Sequence, residues 1–190
     1  HNWATLPPAA LVDADGDGGL EILTAAGELL SVNDQGLAIS DAWQLSGMTG
    51  DAAPLVADLD LDGDADLAVP GEVLTARIQK GEGSGTFSDA LRIGAAASGA
   101  VLSDIDHDGD ADLLAFGDAT QLLSNDGRAG FSEIAAAALQ STPLRSSSGE
   151  FSDFDNDRDI DFLTHTSQSL SLWSNNRDGT FSDVAAQRSL

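Results

Sequence analysis

The stretch DLDLDGDADL, residues 58–67, sets five carboxylates on alternate positions: Asp58, Asp60, Asp62, Asp64 and Asp66. Two like unit charges about 4 Å apart repel by roughly 1 kcal/mol in bulk water, and by more near a protein surface. A chain carries such a run only if it stays extended in solvent or folds around something positive. The stretch recurs as DADGDGGLEI (13–22), DIDHDGDADL (104–113) and DFDNDRDIDF (153–162), with starts separated by 45, 46 and 49 residues. A second element keeps step with it: ISDA (39–42), FSDA (87–90), FSEI (131–134) and FSDV (181–184), beginning 26, 29, 27 and 28 residues after each acidic start. Turn signals GSGT (83–86), GRAG (127–130) and RDGT (177–180) precede three of these copies. Two landmarks in register four times define an internal repeat, with approximate bounds 1–47, 48–95, 96–139 and 140–190 in one domain.

Each unit reads as about four short strands. Apolar runs lie ahead of the acidic loops (Ala10–Val12, Pro54–Val56, Ala100–Leu102) and directly after them: LEIL (20–23), DLAV (66–69), DLLAF (112–116) and DFL (161–163). A third run follows in ELLSV (28–32), EVLTARI (72–78), TQLLS (120–124) and LSLWS (170–174), and the Ser-Asp element closes the unit. No helical stripe appears; AAAA (135–138) runs straight into the loop-like STPLRSSSG (141–149). Four-stranded units of this period predict an all-β fold of propeller blades.

Composition narrows the function. Hydrophobic residues make up 42% of the 190, enough for a core despite a formal charge of −24. Asp supplies 26 of the 32 acids, and the shorter carboxylate suits tight turns and convergence on a cation. Cysteine is absent, which excludes disulfides and thiolate metal sites. One Lys and seven Arg, in no basic run, make nucleic acid a poor partner. No apolar run approaches the ~20 residues that span a bilayer. With His1 in first place, the expectation is a processed product or an excised piece.

The shared frame is D-x-D-x-D-G-x-x-[DE]. Oxygens at positions 1, 3 and 5 of a tight loop can face one centre, with a backbone carbonyl at 7 and a carboxylate at 9. That is a hard-cation cage of the kind Ca²⁺ favours. The predicted metal positions are Asp13, Asp15, Asp17, Gly19 and Glu21; Asp58, Asp60, Asp62, Asp64 and Asp66; Asp104, Asp106, Asp108, Asp110 and Asp112; and Asp153, Asp155, Asp157, Asp159 and Asp161. Gly18, Gly63 and Gly109 fill position 6, where a left-handed backbone is expected. Apolar residues at positions 8 and 10 flank the ninth-position acid, so the cage runs into a half-buried strand. An EF-hand is excluded, because position 12 holds Thr24, Val69, Ala115 and Thr164 and the flanks are strands. Mg²⁺ and Zn²⁺ suit this donor set less well. The loops hold 19 of the 32 acids, and four Ca²⁺, one per repeat, would offset a third of the net charge where it is densest. The fourth site is expected to be the weakest, because Arg158 stands where Gly is wanted, at about 1 kcal/mol for a left-handed turn, and adds a cation.

These loops, with SNDGRAGFSE (124–133) and NNRDGTFSD (175–183), resemble the FG-GAP/VCBS repeat family, whose blades build the calcium-binding propellers of integrin α-subunits and of many secreted bacterial proteins. The resemblance covers nearly the whole chain. It implies that each metal loop joins the first two strands of a blade, and it implies a secreted or cell-surface location, bacterial in origin. Such rings usually hold about seven blades, so four form either a small closed ring or part of a larger one, with open edges available for self-assembly.

A cage filled by protein oxygens is structural, whereas catalytic metal sites keep an open position. The loops are therefore read as fold-stabilising, and the resemblance implies a non-enzymatic extracellular adhesion module whose loops or edges bind protein or glycan. The alternatives are a lyase-like polysaccharide-active propeller and a building block of an extracellular assembly. Catalytic candidates are few: Lys80, His1, His107 and His165, with no Tyr and no G-x-S-x-G elbow. Trp3, Trp43 and Trp173 are the aromatics on which a sugar would stack, although Trp173 sits in a core pattern. Phe87, Phe131 and Phe181 share one repeat position and are expected to pack between units.

Overall fold

The computed structural model describes residues 9–14, 17–33, 36–45, 48, 52–80, 86–134, 139 and 146–185. Among them the regular structure is strand, apart from single 3₁₀ positions at Leu139 and Ala185. The first sheet contains β1 (Ala9–Val12), β2 (Glu21–Thr24), β3 (Glu28–Asn33) and β4 (Gly36–Gln44). The second contains β5 (Leu55–Ala57), β6 (Asp66–Val69), β7 (Thr75–Arg77) and β8 (Leu91–Arg92). The third contains β9 (Gly99–Ser103), β10 (Asp112–Phe116), β11 (Gln121–Ser124) and β12 (Ser132–Glu133). The fourth contains β13 (Ser148–Ser152), β14 (Asp161–His165), β15 (Leu170–Asn175) and β16 (Phe181–Asp183). Each is an antiparallel meander with strands in chain order. Every acidic loop joins the first strand of its sheet to the second.

Three cores separate the four sheets. Val12, Ala14, Leu23 and Leu29 meet Leu67 and Val69 between sheets one and two. Leu59, Ala68, Leu74 and Ala76 meet Ala97, Leu113, Ala115 and Leu123 between two and three. Ile105, Leu114, Phe116 and Leu122 meet Phe162, Trp173 and Phe181 between three and four. Successive side chains on a strand point to opposite faces, so β10 sends Leu113 and Ala115 toward sheet two and Leu114 and Phe116 toward sheet four. That explains why DLLAF is buried at all five positions rather than alternating.

The recurrent phenylalanines serve one core each. Phe87 packs on the first, Phe131 on the second, and Phe181 is a member of the third. Trp173, 1% exposed, stacks on Phe162 with centroids 5.6 Å apart, and Phe181 meets the same ring edge-on at 5.1 Å. Such pairs add about 0.5–1.5 kcal/mol beyond area burial. Trp173 is thus core, and it offers no sugar platform. Trp3 and the AAAA run lie outside the described residues, as does the side chain of Trp43.

The second sheet departs from the expected strand pattern. Its fourth strand is Leu91–Arg92, beyond FSDA, with only an isolated bridge between Gln79 and Phe87. Ser88 interrupts the ladder, because its hydroxyl accepts the Ile78 N–H at 3.0 Å. The third strand is correspondingly short, Thr75–Arg77 instead of 72–78. First strands stand beside one another in the order β1, β5, β9, β13. No contact of similar extent returns from β13 to β1 among the described residues.

Candidate metal centres

The acidic loops fold by hydrogen-bonding to themselves. The first carboxylate of each loop caps the turn from inside. Asp58 accepts the N–H groups of Asp62 (3.1 Å) and Gly63 (2.9 Å), and Asp153 those of Asp157 (3.1 Å) and Arg158 (3.0 Å). Gly109 donates to Asp104 at 3.1 Å and Gly18 to Asp13 at 3.0 Å. The carboxylate at position 5, in Asp62, Asp108 and Asp157, accepts the N–H of the seventh residue at 2.9, 3.2 and 3.0 Å.

Position 6 is left-handed as expected, with φ of 85°, 95° and 98° at Gly18, Gly63 and Gly109. Arg158 adopts the same turn at 81°, so the fourth loop keeps its shape without glycine. A second left-handed residue appears at position 4: Leu61 (60°), His107 (64°) and Asn156 (64°). A leucine there carries no sequence signal for such a conformation, and the sequence reading did not find it.

Three loops bring candidate ligand atoms within 4.8 Å of one another: Asp58, Asp60 and Asp62; Asp104, Asp106 and Asp108; and Asp153, Asp155 and Asp161. Asp13, Asp17, Gly19 and Glu21 of the first loop are placed, while Asp15 lies outside the described residues. The fit to a cation rests on orphaned oxygens. Asp60 Oδ1, Asp104 Oδ1 and Asp110 Oδ1 are buried without a hydrogen-bond partner. An unpartnered buried carboxylate oxygen is costly, and a hard cation is the partner that satisfies several at once. Electrostatics agree. Burial first, then the neighbouring carboxylates Asp62 and Asp108, push Asp60 and Asp106 above the usual carboxylate range. Burial and then Asp108 push Asp110 up to about 6.

The ninth-position acids have an additional task that the sequence reading did not assign. Asp112 is fully buried and accepts the N–H of Ile105 and of Asn125, both at 2.9 Å. Asp66 accepts those of Leu59 (2.8 Å) and Gln79 (2.7 Å), and Asp161 those of Phe154 (3.3 Å) and Asn175 (2.8 Å). Glu21, on its longer arm, accepts that of Ala14 at 3.0 Å. Each of these Asp residues therefore ties its own loop to the end of the third strand. Burial raises all three, Asp66 and Asp112 to about 6, while the backbone donors pull the other way.

The residue at that strand end makes a second tie. Asn125 Nδ2 donates to the carbonyls of Leu59 in the preceding sheet's loop (2.9 Å) and Ala111 in its own (3.3 Å). Asn175 Nδ2 repeats this on Ile105 (3.0 Å) and Ile160 (3.2 Å). The signal was present as Ser-Asn before the turn in SNDG (124–127) and SNNR (174–177). Asn125→Ala is expected to cost about 1–3 kcal/mol through the orphaned carbonyls, seen as a Tm loss of roughly 2–4 °C per kcal/mol in a scanning calorimeter.

The remaining candidates fall elsewhere. His165 ends β14 with Nδ1 3.2 Å from Ser148 Oγ, and no acid–base partner is described for it. His107, exposed on the third loop, touches the next loop: Nε2 lies 3.0 Å from the Arg158 carbonyl and 3.6 Å from Asp159 Oδ1. The cation on the fourth loop is Arg177, whose Nε donates to Asp159 and whose terminal nitrogen donates to the Asp157 carbonyl.

No family model and no curated protein matches the sequence. Solved structures do match in fold. A lectin of Agrocybe aegerita that specifically recognises non-reducing terminal N-acetylglucosamine aligns with a TM-score of 0.58 at 20% identity, over 92% of this chain and 50% of that one. The V. cholerae biofilm matrix protein Bap1 aligns at 0.53 and 18% identity, over 93% of this chain and 30% of its own. The chain thus spans half the length of the first and under a third of the second.

Proposed function

We propose that the chain is a calcium-stapled extracellular module that binds glycan without turning it over, built from FG-GAP/VCBS-type propeller blades. The observation that carries the calcium reading is the set of buried, unpartnered oxygens on Asp60, Asp104 and Asp110, inside loops whose other carboxylates converge. Asp58, Asp60 and Asp62 would hold one ion, and Asp104, Asp106 and Asp108 another, each with the backbone carbonyl of position 7. Oxygen-only donors on a flexible loop suit Ca²⁺ over Mg²⁺ or Zn²⁺. The first loop would hold an ion through Asp13, Asp15, Asp17 and Glu21. The fourth would hold the weakest, because Arg177 already sits against Asp159 and the Asp157 carbonyl.

Glycan is favoured over protein as the partner by the likeness in fold to a lectin and to a biofilm matrix protein, both of which also support an extracellular setting. The four four-stranded sheets would form either a small closed ring or an arc of a larger one. Two measurements test the proposal. On a glycan array in millimolar calcium the chain should retain a defined set of glycans and release none as cleaved product; an empty array removes the glycan reading. The double variant Asp60→Ala, Asp106→Ala should lose two calcium ions per chain by native mass spectrometry while the fourth loop's count is unchanged; a wild-type count removes the metal assignment.

A further inference from the structure

Adjacent sheets meet at their loop ends through one recurring junction, in which three positions converge. These are the fourth residue of one acidic loop, the seventh residue of the next, and the residue two beyond the Asn that ends the third strand. Between sheets two and three they are Leu61, Asp110 and Gly127. A Cβ on Gly127 would lie 3.1 Å from Leu61 Cδ1 and 3.4 Å from Asp110 Oδ2, so the leucine fills this junction. Between sheets three and four they are His107, Asp159 and Arg177. Here Asp159, 7% exposed, is gripped by an imidazole and a guanidinium that are themselves 53% and 59% exposed. Gly127 and Arg177 share a left-handed backbone, φ 68° and 62°. That conformation costs a non-glycine residue about 1 kcal/mol or more.

The charged junction opens into a cleft of about 560 Å³, within the roughly 300–1,000 Å³ of small-ligand sites. Ile105, Ile134 and Phe181 give it an apolar wall, and His107, Asp159 and Arg177 stand opposite. We infer that this cleft is the glycan subsite and takes one uncharged pyranose; the inference rests on the glycan-binding function proposed above. A sugar presents hydroxyls that donate and accept on its rim and C–H groups on its faces. A carboxylate flanked by guanidinium and imidazole offers acceptors and donors side by side, which matches neighbouring hydroxyls, while the wall matches a C–H face. Arg177 is already neutralised by Asp159, and the chain carries −24, so an anionic ligand gains nothing here. Asp106 also lines the cleft, placing the third metal loop against the bound sugar. The larger cavity at the opposite end of the sheets, about 710 Å³, is lined largely by Gly, Ala and Ser and has no such fork.

The test is titration calorimetry in millimolar calcium with a panel of methyl pyranosides, N-acetylglucosamine and a uronic acid as probes. Calcium count and Tm are recorded for every variant. Arg177→Gly and His107→Leu copy the residues of the other junction, where Gly127 and Leu61 hold the same left-handed backbone, so both should fold. Each is expected to weaken sugar binding by about tenfold or more with Tm near wild type and a calcium count no lower than that of wild type. Arg128→Ala, exposed on the neighbouring hairpin, should bind as wild type. If the wild type binds sugar and both variants bind equally well, the cleft assignment is overturned while the glycan function stands. Loss of binding only in variants that also lose calcium overturns the cleft as well, as does preference for the uronic acid. A wild type that binds no probe and no arrayed glycan overturns both readings.

Discussion

Stripping calcium should lower the Tm of this chain by roughly 10–20 °C. A ligand that binds only the folded state at about 100 times its Kd adds about 2.7 kcal/mol per site. Two sites of that strength, at the second and third loops, would contribute about 5 kcal/mol, and a chain of this size shifts by roughly 2–4 °C per kcal/mol. Calorimetry in millimolar calcium and then in chelator measures the difference, and an unchanged Tm refutes the stapling role. The metal-free protein should also respond to acid with an inverted sign. Asp66, Asp110 and Asp112 are held near 6 in the folded chain against an ordinary 3.8. Between those values the folded state binds more protons than the unfolded state, so stability rises as pH falls from 7 toward 5. Metal-free protein whose stability falls over that interval would contradict the burial, and after it the mutual repulsion, that raises these carboxyls.

The second large effect separates two acids of one loop. Asp112→Ala removes the acceptor of two buried N–H groups, Ile105 and Asn125, at about 1–3 kcal/mol each. The loss should appear with calcium and without it. Asp106→Ala is the opposite case. Its carboxyl is raised by burial and by Asp108 and Asp104, so truncation relieves repulsion in the metal-free chain and should leave its Tm equal or higher. In calcium the same variant should lose one site's contribution, about 2.7 kcal/mol at 100 times Kd. Asp112→Asn keeps an acceptor oxygen and drops the charge, and should resemble Asp106→Ala more than Asp112→Ala. Denaturant melts of the three variants in both conditions decide it. Parallel losses for Asp106→Ala and Asp112→Ala would mean that the ninth position has no separate structural task.

The loops and strands were legible because their signals are local. Alternate Asp with Gly at position 6 names the turn, and the apolar residues at positions 8 and 10 name the strand that follows. Even the three phenylalanines of the Ser-Asp element announced their role through repetition. What the sequence hid was mostly pairing across units. Asn125 is chosen by a carbonyl 66 residues away, and Asn175 by one 70 residues away, so neither partner is visible from the local string. His107 is exposed, and the residue it meets belongs to the next repeat, out of reach of the local string. Leu61 in a left-handed turn contradicts its own propensity, and only the capping of Asp62 and Gly63 by Asp58 explains why the turn holds. The break at Ser88 likewise depends on a hydroxyl that competes with the ladder, a choice open to any serine.

The two-sided burial of β10 has a consequence for how such a chain lengthens. Each interior sheet supplies half of the core on its left and half of the core on its right, so no sheet owns a complete interior. A unit added at either end needs only one face shaped to the sheet that it meets. Growth by whole-unit duplication is therefore the cheap route for this architecture, and deletion of an inner unit is tolerated only where the faces brought together still interlock.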